Sequence, residues 1–350
     1  MFQKKYEWQW DQVQQIGKQK KTPYYQGRFT PDIVLERENL YQNLECICTL
    51  PKKKSAQQSS GLVLSVAITP DGNKVVSGNS NNTIQIYDMH TGVASTLKGH
   101  LDSVSTVAIT PDGEKIVSGS SDNTIQIWDI NTGKRLHILE SVSKMLFSVA
   151  ITPDGNKLVT GSIEPTVKVW CIHTGEVLHR LEGHLDSVLS VAITPNGDKI
   201  VTGSSDRTLK IWCLNEGKLL KTLEGHSNDV YSVAITPNGN KVVSGSCDNT
   251  IKVWNLNTGE LLHTLVGHKK SILSVTVTPD GNYIVSGGFD NAIKIWCIET
   301  GELVNTLGEN CGWVNSVAIT PDGKKIVSAI NDNTINIWGK SEKRKTIRIW

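Results

Sequence analysis

The sequence predicts an all-β fold: a seven-bladed β-propeller of four-stranded antiparallel blades, closed by a terminal clasp strand. Three observations carry that expectation. A Thr-Pro-Asp/Asn-Gly turn recurs with its proline at Pro70, Pro111, Pro153, Pro195, Pro237, Pro279 and Pro321, at intervals of 41 residues once and 42 residues thereafter. A period in the low forties suits one four-stranded propeller blade. Within each copy the apolar residues alternate with period two, the pattern of strands with a buried face. Finally, a sheet of about 40 residues cannot bury both its faces alone, so the copies make sense only when stacked radially.

The copy at residues 185–223 illustrates the elements in order. The runs LSVAIT, KIVTGS and TLKIW read as three strands, and KLLKTL as a shorter fourth. Pro195-Asn196-Gly197 joins the first two: proline presets φ, the Asn side chain closes a local turn, and glycine accepts positive φ. Ser205-Asp206-Arg207 and Asn215-Glu216-Gly217 turn the chain twice more.

A ring must also close, because an open one leaves strand edges that invite aggregation. The seventh copy ends its third strand at Thr334–Trp338 and lacks the usual sequel. Two segments are candidates for the missing outer strand. Leu44–Leu50 (LECICTL) resembles the fourth strands and precedes the first full copy, whereas 345–350 (KTIRIW) alternates in phase after Trp338. Topology favours the N-terminal segment. The expected organisation is therefore an extension at 1–43, partly ordered with partial helix at 8–20, a propeller at 44–338 with its clasp at 44–50, and a basic tail at 339–350.

Composition bounds the function. A net charge of +2 excludes a chain governed by one global field. Locally, residues 1–60 carry ten Lys/Arg against six Asp/Glu and residues 339–350 five against one, leaving the ring between them mildly acidic. Seven cysteines, scattered and odd in number, do not read as a secreted disulfide framework. The opening MFQKKYEWQW lacks a secretory apolar core, and no run is long enough to span a membrane. A soluble, cytoplasmic protein is expected.

Gly-His at the end of one strand, followed by Asp and Trp downstream, recurs in phase through residues 44–338 and resembles the WD40 repeat family. The near-identical copies are similar to the regular WD40 arrays of prokaryotes. The resemblance implies a buried hydrogen-bonded set of His, Ser/Thr, Asp and Trp in each blade. Four sets are complete: His100, Ser118, Asp122 and Trp128; His184, Thr202, Asp206 and Trp212; His226, Ser244, Asp248 and Trp254; His268, Ser286, Asp290 and Trp296. Three blades depart from it. The first has Asn81 and Tyr87 for Asp and Trp, the third Val142 for His with Glu164-Pro165 in its turn, and the seventh Asn310 for His. Half-made polar networks cost stability, so these blades are expected to be softer.

A recurring His, Asp and Ser suggests a triad, but catalysis needs one asymmetric site with an exposed nucleophile. No metal ligands converge and no phosphate-binding glycine loop is present, since Cys171, Cys213 and Cys297 occupy equivalent positions in separate blades and read as small buried filler. Neither enzymatic activity nor a cofactor is expected. The resemblance instead implies partner binding on the narrower face, at residues entering each first strand and just before the turn Asp. Those positions include Met145, Phe147, Leu189, Tyr231, Leu273, Trp313 and Asn315 in the first class, and Ser121, Ile163, Ser205, Cys247, Phe289 and Asn331 in the second. The gathering of Phe147, Tyr231, Phe289 and Trp313 in a chain of only 6% aromatics points to a protein or peptide partner and a scaffold or adaptor role. The alternative is nucleic acid bound by the basic ends, through Lys18, Lys20, Lys21, Lys52–Lys54, Lys340, Lys343–Lys345 and Arg348, with Trp8, Trp10, Tyr24 and Tyr25 for stacking.

Overall fold

The computed structural model describes residues 41–51, 61–140, 145–308 and 312–340, and among them the chain forms 28 strands in seven four-stranded antiparallel sheets. The first full blade is β2 (Val63–Ile68), β3 (Lys74–Asn79), β4 (Thr83–Asp88) and β5 (Ala94–Lys98), paired in that order. In each blade these four places are strands a to d. Strand a of each blade packs on strand a of the next, and β26 (Val314–Ile319) packs on β2, so the ring is closed.

The chain folds this way because strand b is buried along almost its whole length, as in Val75–Asn79, while strand a buries only its first and fourth residues, Val63 and Val66 in the first blade. In the a–b hairpin, Thr69 Oγ1 accepts from Lys74 N at 2.9 Å and donates to Asp71 at 2.5 Å, and Gly72 turns at φ +73°. That glycine also serves the ring. A methyl placed on Gly72 would lie 3.5 Å from Pro321 Cδ, and the same glycine-on-proline stacking links Gly113 to Pro70 and continues blade to blade round to Gly323 and Pro279.

Hydrophobic clusters occupy the joints between blades. Val76, Ile84 and Ile86 of the first blade pack with Val104, Ile116 and Trp128 of the second. A serine on strand a adds one hydrogen bond to each of six joints. Val66 N donates to Ser316 Oγ, Val107 N to Ser65 Oγ and Val233 N to Ser190 Oγ, at 3.0–3.2 Å. Where Thr106 replaces the serine, Ser105 Oγ donates to the Leu146 carbonyl of the third blade.

The seventh blade is β26, β27 (Ile326–Ile330) and β28 (Thr334–Gly339), with β1 (Glu45–Leu50) antiparallel to β28 as its outer strand. The N-terminal segment is thus the clasp. The alternative strand at 345–350 and the 1–40 part of the extension lie outside the described residues. Leu50 seals the joint to the first blade beside Val63, Val75 and Tyr87. At the other end Tyr41, 2% exposed, fills the place where a regular blade has its c–d turn. Its hydroxyl donates to the Gly323 carbonyl at 2.9 Å, Asn305 Nδ2 donates to its carbonyl at 2.7 Å, and its ring meets Tyr283 edge-on at 5.0 Å. The residues that close the ring therefore begin ahead of Leu44.

Tyr41→Phe, which removes one buried hydrogen bond, is expected to cost about 1 kcal/mol, and Tyr41→Ala, which adds a cavity, about 3–5 kcal/mol, both read by urea denaturation.

Candidate interaction face

Beneath the face formed by the d–a and b–c loops, the structure brings together each of the four complete sets. In the second blade Trp128 Nε1 donates to Ser118 Oγ at 2.9 Å, Ser118 Oγ lies 2.7 Å from His100 Nε2, and His100 Nδ1 lies 2.8 Å from Asp122. Asp122 also accepts Leu101 N at 2.8 Å and the Thr124 amide and hydroxyl at 2.8 and 2.7 Å. A consistent proton order follows. The carboxylate is ionised, His Nδ1–H donates to it, Nε2 accepts from the serine hydroxyl, and that oxygen accepts from tryptophan. The same contacts, at 2.7–3.0 Å, hold the sets of His184, His226 and His268. The set ties strand c to strand b and pins the Gly-His loop to the b–c turn. Ser118, Thr202, Ser244 and Ser286 are all 0% exposed, so these hydroxyls cannot reach a substrate.

Burial is the leading influence on His100 and pushes its pKa down, so the ring stays neutral. Burial also opposes ionisation of Asp122, Asp206, Asp248 and Asp290, but hydrogen bonds from the partner His and the loop amides, joined by the following Thr in the first three, outweigh it and hold these carboxyls below their usual range.

The departing blades keep part of the set. Trp170 Nε1 donates to Thr160 Oγ1 at 3.0 Å and Trp338 Nε1 to Ser328 Oγ at 2.9 Å. In the third blade Glu164 takes the turn position, its amide donating to Ser162 Oγ at 3.2 Å and its carboxylate meeting the buried Lys168 at 3.4 Å. Pro165 cannot adopt positive φ, which Asn82, Asn123, Arg207, Asn249, Asn291 and Asn333 do in the other b–c turns, so this turn is built differently. In the first blade Asn79 Nδ2 donates to the Thr83 carbonyl at 3.1 Å and Tyr87 donates to Gln85. Val142 and Asn310 lie outside the described residues.

The two classes of rim position meet in every blade. The residue before the turn acid donates its amide to the carbonyl of the residue entering strand a: Ile163 to Met145 at 3.2 Å, Cys247 to Asp229 at 2.9 Å, Phe289 to Ser271 at 2.9 Å and Asn331 to Trp313 at 3.0 Å. Across three joints the second class touches the residue entering strand a of the next blade. Ser205 Oγ donates to Asp229 at 3.3 Å, Cys247 Sγ lies 3.1 Å from Ser271 Oγ, and Phe289 packs edge-to-face on Trp313 at 4.9 Å and 75°. Trp313 remains 41% exposed, and Leu62 and Ile163 at rim positions of other blades are exposed as well. Phe147, Leu189, Tyr231 and Leu273 are half-buried as the second residues of their strands, and Asn315 Nδ2 donates to the Val63 carbonyl at 2.8 Å.

One expectation is corrected. Cys171, Cys213 and Cys297 are half-exposed rather than buried filler, because they end strand c and take the place of Asp88 and Asp129 at the start of the c–d turn. Asp129 Oδ1 accepts the Thr132 hydroxyl and amide and the Asn131 amide there. Bonds from Thr174 and His173 likewise lower the Cys171 thiol. The strand-a serines, the rim backbone bonds, Tyr41 and Asp229 went unrecognised in the sequence. For the serines and Asp229 the available signal was a residue shared by nearly all copies or differing in one, and Tyr41, which belongs to no repeat, offered none.

Among the described residues no three His, Cys, Asp or Glu side chains are placed to hold a metal ion, and no helix is long and apolar enough to cross a membrane. A ring of four-stranded blades pinned by His-Ser/Thr-Asp-Trp sets defines a WD40-type propeller. The family described as WD domain, G-beta repeat matches seven times, at residues 44–88, 92–129, 133–171, 175–213, 217–255, 259–297 and 301–339, and the chain belongs to that family. Comparison with curated proteins returns no match.

The pKa directions fix the acid response. His100 and the four Asp residues all hold fewer protons folded than unfolded, so stability rises with pH wherever the unfolded chain is protonated and the folded one is not. The thermal midpoint is expected to fall first as pH drops below about 6.5, where unfolded His protonates, and more steeply below about 4, where unfolded Asp does. A midpoint that is flat from pH 7 to 3 by circular dichroism contradicts this.

Proposed function

We propose that the protein is a non-catalytic scaffold or adaptor that binds a protein or peptide segment on the d–a/b–c face, within a multi-component assembly. The observation that carries this reading is the Phe289–Trp313 pair. It places two aromatic rings across one blade joint, at the rim, with Trp313 still substantially open to solvent. Every other tryptophan among the described residues is buried in a blade. Large aromatics dominate interface energetics, and an exposed one on a rigid frame loses little conformational entropy on binding. Met145, Phe147, Ile163, Leu189, Tyr231 and Leu273 extend the apolar character round the rim, and Asn315 adds an amide. Partner choice then rests on a few unrepeated side chains while the repeated ones hold the frame.

The nucleic-acid alternative rests on the basic ends, most of which lie outside the described residues, and nothing at the face favours it. A cytoplasmic location fits the free thiols of the six described cysteines.

Single replacement of Phe147, Tyr231, Phe289 and Trp313 by Ser is expected to abolish co-purification of a partner from the native host, with the largest loss at Trp313, while melting stays cooperative. Unchanged recovery with all four variants defeats the reading.

A further inference from the structure

Three positions in each blade make the innermost part of the face: the residue before strand a, the second residue of that strand, and the residue ahead of the turn acid. Across the seven blades only one of these positions carries a charged side chain, Asp229. Its equivalents are Leu62, Ser103, Met145, Ser187, Ser271 and Trp313. In an array this regular, a lone charge at the mouth of the ring breaks the repeat where partner choice is made.

The surroundings leave that charge short of compensation. The carboxylate is half-buried and accepts the Ser205 hydroxyl at 3.3 Å, and among the described residues no Lys, Arg or His forms an ion pair with it. Burial raises its pKa, exposed Asp186 adds to the effect, and the Ser205 bond and Arg207 only partly oppose it. A desolvated carboxylate without a counter-ion is costly to the free protein, and an arriving cation relieves that cost. The loop is also fixed in advance, because Cys247 N holds the Asp229 carbonyl at 2.9 Å and Cys247 Sγ reaches Ser271 on the next blade. Half-buried Tyr231, two residues on, and Leu189 and Leu273 at the same position of the flanking blades supply apolar surface for the methylene stem of a long basic side chain. The ring outside the two basic ends carries six more acidic than basic residues, so its field attracts rather than repels a basic segment.

We infer that the face selects its partner through one Lys or Arg side chain seated against Asp229, with neighbouring apolar residues of the partner on the Phe289–Trp313 pair. The inference rests on the reading of this face as a peptide-binding surface and adds the chemistry of the occupant.

The test pans a randomised peptide library on the full chain. Enriched peptides are resynthesised with each Lys or Arg replaced by Gln, and their affinities are measured for the wild type, Asp229→Asn and Trp313→Ser. The expected result is that enriched peptides share a basic residue, that its replacement and Asp229→Asn each weaken binding at least tenfold, and that the two changes together weaken it no further. That non-additivity marks a direct pair. Asp229→Asn preserves shape, and its melting curve checks that the ring is intact. Enriched peptides without a basic residue, or peptides sensitive to Trp313→Ser but indifferent to Asp229→Asn, overturn the inference and leave the peptide-binding face standing. Enrichment indifferent to both variants, or no enrichment, overturns the two together.

Discussion

Everything in this molecule depends on one constraint: a repeated sheet with two apolar faces is stable only when each face meets another sheet, and seven such sheets do so only as a closed ring. Six joints are made by copies that follow one another along the chain. The ring must also bring its two ends together, and the break in the chain falls inside a blade, between β28 and β1, instead of at a joint. The solution is a shared blade, with β1 from one end of the ring sequence completing β26 to β28 from the other. Leu50 then packs toward the first blade and Tyr41 toward the sixth, so the clasp is gripped on both sides.

The regular parts of that frame were legible in the sequence because they repeat. Seven Thr-Pro-Asp/Asn-Gly turns gave the blade count, period-two alternation gave the strands, and Gly-His, Asp and Trp in phase gave the hydrogen-bonded sets. What stayed hidden depends on contacts between copies. Ser65, Ser148, Ser190, Ser232, Ser274 and Ser316 looked like ordinary polar residues on a half-buried strand, yet each accepts an amide from the next blade. Tyr41 was hidden for the opposite reason. It belongs to no repeat, and its value lies in filling a gap left by the missing c–d turn of the seventh blade. The cysteines misled because a small apolar residue in a strand register suggests burial, whereas strand c has reached the turn by that point.

The same contrast between repeated and unrepeated residues separates stability from function. Repeated side chains face inward along the joints or into the hydrogen-bonded sets, where a change in one copy disturbs two blades. Unrepeated ones collect at the rim, where backbone bonds between the loop before strand a and the b–c turn hold them rigidly without constraining their identity. Ser, Met, Trp and Asp therefore occupy one and the same backbone setting. A rigid frame with freely variable rim positions lets small changes alter the partner without touching the fold. The polar sets serve this arrangement directly, since the Asp of each set accepts the amide of the residue after His and so anchors the loop that carries the rim.

Hydrogen–deuterium exchange of the β28 amides tests most directly whether the N-terminal strand closes the ring. In Leu50→Asp, which places a charge in the buried joint to the first blade, β28 is expected to lose protection, with the first and seventh blades opening at lower denaturant than blades two to five. Unchanged protection of β28, or loss spread evenly over all seven blades, would contradict it.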